Sequence, residues 1–327
     1  MELLEARVRR LCQDAGLAFS PIVPLAGDVG QRRYFRMSPP SGSAIVVAYP
    51  EGTEEACRRW NRVRAALAPA IRVPRVLAEE PGGGMQILED FGDRPLSSFW
   101  EGSADGRRRR HQRAARIAAA IAATPDPGVN PPFTAAFFFS EMEKSREAFF
   151  DAFAGDPLSA AERSVHDEFA AGLASEIASH PPAFVHRDFH VDNLFAAEDQ
   201  IAVIDFQDAR TGPDAYDVAS LIGERAALVH PDPAASEAAV AAFSAAYGPK
   251  PGFADRLARV GLQRGWKAAG TFARVCHEGR EREYRRFLAP QIAAVERGLR
   301  KSGVEAEFIK ILGQRSAKLF RKEETPC

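Results

Sequence analysis

The sequence predicts an α+β chain in two lobes, a small β-rich one over residues 1–90 and a larger, mostly α-helical one over residues 91–327. Three observations predict it. Segments rich in β-branched and aromatic residues, bounded by Pro, Gly and Ser, crowd the first 90 residues. After Gly92 most of the chain reads as helix. One isolated hairpin signal, Leu194–Ala196 and Ile201–Ile204 around Ala197–Gln200, interrupts the helical part, with acidic and amide residues at both ends.

In chain order, residues 2–15 form an amphipathic helix with Leu3, Leu4, Val8 and Leu11 on one side. Tyr34–Met37 and Ala44–Tyr49 are strands joined through Ser-Pro-Pro-Ser-Gly, a hairpin with a loop longer than two residues. Thr53–Leu67 is a helix with Thr53 as N-cap and Glu54 and Glu55 in its first turn. Val73–Ala78 and Met85–Leu88 are strands across a Gly-rich turn. Helices are expected over 104–123, 139–153, 159–179, 215–228, 234–247, 253–276 and 281–301, with Ser159 and Glu162 as a capping box. Thr124–Pro132 is a Pro- and Gly-rich loop, the Ala-rich run 114–123 a helix at the surface or core edge, and the tail after Lys318 frayed.

Composition narrows the function. The chain has 327 residues, 46% hydrophobic and 27% charged, as in a soluble globular protein. A formal net charge of -1 provides no global field for nucleic acid. Cys12, Cys57, Cys276 and Cys327 are far apart and form no CxxC pair, which argues against a zinc or disulfide framework and for a reducing compartment. No apolar run approaches the roughly 20 residues of a membrane span, and the charged N-terminus lacks a signal-peptide core. A cytoplasmic monomer without membrane or nucleic-acid partners is expected.

The chemistry concentrates in FVHRDFHVDNLFAAEDQIAVIDF, residues 184–206. Antiparallel strands lie about 5 Å apart, so Asn193 before the first strand and Asp205 after the second converge on one spot. Asp188, five residues earlier in a tight loop, can face the same spot. Oxygen ligands at one point suit Mg2+, and a second carboxylate suits orientation of an attacking hydroxyl. His186 and His190 have the i, i+4 spacing of a zinc pair, but the segment does not read as helix.

His186, Asp188 and Asn193 with Asp205-Phe206 resemble the HxDxxxxN catalytic loop and metal-binding Asp of the kinase-like superfamily. The wider wording HRDFH, IDFQDA and YDVASL is similar to aminoglycoside phosphotransferase-like small-molecule kinases, and no Ala-Pro-Glu segment of a protein kinase is found. GDVGQRRYFRM, ILEDFGD and QRGWKAAGTFARVC narrow the resemblance to bacterial anomeric kinases of N-acetylmuramate and N-acetylglucosamine, which serve cell-wall recycling.

The resemblance implies a bilobal protein-kinase-like fold, with ATP and Mg2+ as co-substrate and cofactor and a sugar as acceptor. Asp188 becomes the catalytic base, Asn193 and Asp205 the metal ligands, and His186 and Asp217 supports of the loop. Leu88–Asp93 becomes the adenine hinge, including Glu89 and Phe91, and Gly27 and Gly30 a phosphate-covering loop. The lysine such folds carry on the third strand is missing, since the first lysine is Lys144. Arg32, Arg33 and Arg36 are the candidate replacements, with Arg36 favoured if it points inward. His190, Asp208, Arg210, Trp266 and Lys267 are candidate acceptor contacts, although a helix-core role suits Trp266 and a core role His190 equally well. Another small-molecule kinase of this fold (for an aminoglycoside, choline, homoserine or another sugar) and a pseudokinase are the competing readings.

Overall fold

The computed structural model describes residues 2–25, 32–99, 102–197, 200–301 and 306–321. Two compact units emerge. Met1–Phe99, Thr124–Val129 and Val191–Ala209 form the first, and Trp100–Ala123, Asn130–His190 and Arg210–Cys327 the second.

The first unit is built on a five-stranded antiparallel sheet of order β1-β2-β3-β5-β4, from β1 (Ile22–Pro24), β2 (Arg33–Met37), β3 (Ala44–Ala48), β4 (Val76–Glu79) and β5 (Met85–Glu89). Strand alternation turns Phe35 and Met37 into the core with Val46 and Ile87. Helix α1 (Glu2–Asp14) adds Leu4, Val8, Leu11 and Cys12, a stripe at i, i+4, i+7 and i+8. Helix α2 (Glu54–Leu67) buries Cys57, Trp60, Val63 and Leu67. Thr53 does not cap it; its hydroxyl donates to the Pro50 carbonyl at 2.6 Å instead.

The same unit holds the hairpin of β7 (Leu194–Ala197) and β8 (Gln200–Val203). It is tied down by the Val203 N–H donating to the Arg72 carbonyl at 2.9 Å and by Phe206, whose ring lies 5.2 Å from that of Trp60.

The second unit is helical around a two-stranded antiparallel ribbon, β6 (Pro182–Val185) with β9 (Arg210–Pro213). Helix α3 (Ala104–Ala122) starts on the Ser103 hydroxyl and buries Ala114, Ala115, Ala118, Ala119 and Ile121. The Ala-rich run is therefore core, not surface, and small residues explain it. They let α3 lie close against α8 (Pro233–Tyr247), which buries Ala235, Ala239 and Ala242. Helix α4 (Ala135–Arg146) begins four residues before its expected start because the Thr134 hydroxyl accepts the Phe137 N–H. It runs on as a π-helical stretch, Glu147–Phe153. Helix α5 (Ala160–Ala178) carries the full Ser159–Glu162 capping box. The span expected as one helix over 215–228 breaks at Gly223 into α6 (Tyr216–Ile222) and α7 (Arg225–Val229).

Helix α9 (Phe253–Val275) crosses this unit with Trp266 fully buried at its middle. A π-helical turn, Cys276–Arg280, kinks at Gly279 (φ 99°) and leads into α10 (Glu281–Lys301). Helix α11 (Ala306–Arg321) follows. The tail thus stays helical past Lys318 to Arg321, and the residues beyond lie outside the described ones.

Candidate active site

The strand β6 delivers His186 and Arg187 into a loop whose backbone is held from below. The Asp217 carboxylate, in the first turn of α6, accepts the His186 N–H at 2.7 Å and the Arg187 N–H at 3.1 Å. Burial raises the Asp217 carboxyl above its usual value, against the pull of His186, these two N–H donors and Arg264. His186 is fully buried and meets Phe189 edge-on, 5.8 Å between ring centroids. Arg187 adopts a left-handed backbone (φ 83°), an uncommon conformation for a residue with a side chain. Its carbonyl accepts from the Arg264 guanidinium at 3.2 Å. Arg264, on α9, also donates to the Tyr216 hydroxyl at 2.6 Å and the Ser220 hydroxyl at 2.9 Å, so one buried cation joins loop, α6 and α9.

Asp188 follows this clamp. Its Oδ1 lies 3.9 Å from the Lys267 ammonium, which is 3.5 Å from Glu141 on α4. Burial alone would raise the Asp188 carboxyl; Lys267, then Arg264 and Arg187, outweigh it and hold the group at about 2. Asp188 is ionised at neutral pH, able to accept a hydroxyl hydrogen. Lys267 is pulled below its usual value by burial first and by Arg264.

In the first unit, Leu194 pairs with Val203, and the Ile204 N–H donates to the Asn193 carbonyl at 3.0 Å. Asn193 and Asp205 therefore flank the same end of one hairpin. Asp205 turns left-handed (φ 62°), and its Oδ1 accepts from the Gln207 amide at 2.8 Å. Arg32 stands 3.8 Å from that oxygen, with its guanidinium 5.7 Å from the Tyr34 ring centroid. Asp208 is half-buried in the same segment.

Other expected site residues have different surroundings. Arg36 shares the face of Tyr34, opposite Phe35 and Met37. Its guanidinium binds Asp90, at 2.6 Å and 3.1 Å, and Asp93, so it fastens β2 to the segment after β5. Arg33 is exposed. Glu89, expected at the adenine hinge, is bound by Arg72 and Arg75, and its own N–H donates to the Arg75 carbonyl at 2.9 Å, so that backbone donor is engaged within the sheet edge. Phe91 sits 5.3 Å from the Arg72 guanidinium. Gly27 and Gly30 lie outside the described residues.

Two acceptor candidates are corrected. Trp266 is 0% exposed, packed by Phe149, Phe150 and Phe308, and its indole N–H donates to the Met142 carbonyl, so no face is open to a sugar. Arg210 is buried in β9 against Phe133 and Phe137. His190 is half-buried at the end of the loop. Glu141 carried no motif signal and Arg264, though inside the QRGWKAAGTFARVC stretch, carried no role, because helix packing rather than sequence proximity brings them to Asp188.

Residues 21–259 match the sequence profile of the phosphotransferase enzyme family. The chain belongs to this family. Among curated relatives of this phosphotransferase, the N-acetylmuramate/N-acetylglucosamine kinase of Pseudomonas aeruginosa is 30% identical over 80% of this chain and 79% of its own. The kinase of the same name from Neisseria meningitidis is 26% identical over 80% and 82%. The choline kinase LicA of Streptococcus pneumoniae shares the fold at TM-score 0.62 and 13% identity, over 92% of this chain and 100% of that one. A choline/ethanolamine kinase family protein of Mesorhizobium loti does so at TM-score 0.59 and 17% identity, over 97% and 99%. The protein is thus an ATP-dependent small-molecule kinase with the bilobal kinase-like fold.

Proposed function

We propose that this kinase transfers the γ-phosphoryl group of ATP to the anomeric (C1) hydroxyl of N-acetylglucosamine or N-acetylmuramate, giving the sugar 1-phosphate. The observation that carries the reading is the match over 80% of the chain to kinases named for those two sugars. The charge around Asp188 supports it. Lys267, Arg264 and Arg187 face Asp188 and Glu141, a balance that disfavours a polycationic acceptor such as an aminoglycoside.

In this reading Asp188 accepts a hydrogen bond from the C1 hydroxyl. The hydroxyl oxygen attacks the γ-phosphorus in line, the bond to the β,γ-bridging oxygen breaks, and ADP departs. A carboxyl held at about 2 is a weak base, so Asp188 mainly orients the hydroxyl and takes its proton as the new P–O bond forms. Asn193 and Asp205 offer amide and carboxylate oxygens from one hairpin end, a hard donor set that fits magnesium. Bound there, the ion supplies charge neutralisation on the phosphates. Arg32, beside Asp205, is the better replacement for the absent strand lysine, since Arg36 is engaged by Asp90 and Asp93. A cytoplasmic, monomeric enzyme of cell-wall recycling is the setting this reading implies.

The test is an ATP-consumption screen with N-acetylglucosamine, N-acetylmuramate, glucose and kanamycin as acceptors. Turnover with an N-acetylated sugar, accompanied by loss of its reducing end, is expected; turnover with kanamycin alone would sink the reading. Asp188→Ala should lower kcat by roughly 100-fold or more, the scale of a lost general base, with ATP affinity and thermal midpoint near wild type. Unchanged turnover would falsify its role.

A further inference from the structure

The side of α9 that faces the catalytic loop is more polar than a core helix requires. Gln263 and Arg264 stand four and three residues before Lys267, one stripe of the helix. Gln263 donates to Glu141 Oε2 at 3.0 Å, while the Lys267 ammonium lies 3.5 Å from Glu141 Oε1. Glu141 therefore holds both residues from α4. The register between the two helices is fixed one turn further on, where a Cβ at Gly270 would come within 2.4 Å of Ser145 Cα. Only glycine lets α9 approach α4 this closely, and that approach carries Lys267 to Asp188.

We propose that Lys267, braced by Glu141, is a positioning residue for phosphoryl transfer, holding the Asp188 carboxylate in the orientation and charge state that receives the acceptor hydroxyl. The inference rests on Asp188 being the residue that receives that hydroxyl.

Charge arithmetic gives the reason. Two carboxylates, Glu141 and Asp188, approach one ammonium, and Lys267 is three-quarters buried at 24% exposure. Without the ammonium the two would repel, and carboxylates sharing a site resolve that repulsion by one taking up a proton. A protonated Asp188 could not accept a hydroxyl hydrogen. The groups facing Lys267 are Glu141 from α4, Asp188 and Arg187 from the loop, and Arg264 from its own helix. Arg264 is committed to the Arg187 carbonyl and the Tyr216 and Ser220 hydroxyls, so it fixes the loop backbone. Lys267 reaches the reactive carboxylate itself. At 3.5 Å and 3.9 Å its contacts are longer than strong charge-assisted hydrogen bonds, so the ammonium acts as a shared charge between the two acids.

The experiment compares Lys267→Met, Lys267→Arg, Glu141→Gln and the Lys267→Met/Glu141→Gln double variant, with ATP and N-acetylglucosamine. Lys267→Met should lower kcat by roughly 100-fold, leave the KM for ATP within about twofold, and move the acid limb of the kcat profile to higher pH. Lys267→Arg should restore part of the rate. The double variant should recover roughly tenfold over Lys267→Met, because removing Glu141's charge removes the repulsion; a lost packing contact would not be rescued this way. A readout independent of the acceptor is the Asp188 carboxyl titration by 13C NMR, assigned with Asp188→Asn. Its proton affinity should rise about tenfold or more in Lys267→Met. An unmoved titration, or Lys267→Met turnover within about threefold of wild type, overturns the proposal. Loss of activity in Asp188→Ala alongside an active Lys267→Met would reject the positioning role and leave the kinase reading intact.

Discussion

Arg187 pairs a left-handed backbone with two buried partners, the Asp217 carboxylate on its N–H and the Arg264 guanidinium on its carbonyl. A side-chain-bearing residue in that region costs on the order of 1–3 kcal/mol, and the surrounding bonds must hold it there. Asp217→Ala should therefore lower stability in urea by about 1–3 kcal/mol, the cost of stranding buried N–H donors, and lower kcat through Asp188 while leaving the KM for ATP nearly unchanged. A stable variant with full turnover would remove Asp217 from the account. At this scale the sequence was most legible where the site is contiguous. His186, Asp188, Asn193, Asp205 and Asp217 are spaced along one stretch, and strand pairing alone puts Asn193 and Asp205 at one hairpin end. Glu141 and the role of Arg264 were illegible because they arrive from distant helices. The partners of Arg36 were illegible for a different reason: alternation fixes its face, but not the Asp90 and Asp93 that wait there.

The helices show what local pattern encodes. Long periodic segments, such as α5 with its side-chain cap and α9, fall where the pattern puts them, whereas β1, β6 and β9 span three or four residues and carry no alternation to find. The last helix, α11, lies beyond the helices that the sequence pattern predicts. Phe308 of α11 stacks on Phe169, and Arg315 bonds Asp156 and Glu162, closing α11 onto α5. Arg315, then the Ser159 N–H and hydroxyl, hold Glu162 at about 2 rather than 4.5. A carboxyl with a depressed folded value stabilises the fold above its unfolded value and loses that contribution as pH falls toward the folded one. Arg315→Leu should therefore cost on the order of 1 kcal/mol near neutral pH, a modest figure because the pair is partly exposed. The gap to wild type should narrow below about pH 4.5 and close near pH 2, as followed by urea midpoints across pH. A gap that widens on acidification would refute the assignment.

For the whole molecule, the sequence conveyed the fold class because each lobe has its own periodicity, strands in one and helices in the other. It did not convey that the first unit recruits chain from three places, since compactness depends on contacts between segments far apart in sequence. Among the described residues no helix is long and apolar enough to cross a membrane. Residues 1–99 expressed alone lack the β7–β8 hairpin, and with it the partners of Arg72, Trp60 and Arg32. That fragment should bind ATP at least tenfold more weakly than the intact chain and melt without a sharp transition, measured by calorimetry; a cooperative melt near the full-length midpoint would contradict it.

The same three-part construction has a consequence during synthesis. The ribosome completes the five strands of the sheet well before it makes Val191–Ala209. At ordinary elongation rates the nascent chain waits about 5–20 s with the edge around Arg72 and the ring of Trp60 uncovered. Those surfaces are where a chaperone would bind the growing polypeptide, and their closure marks the moment at which the first compact unit is whole.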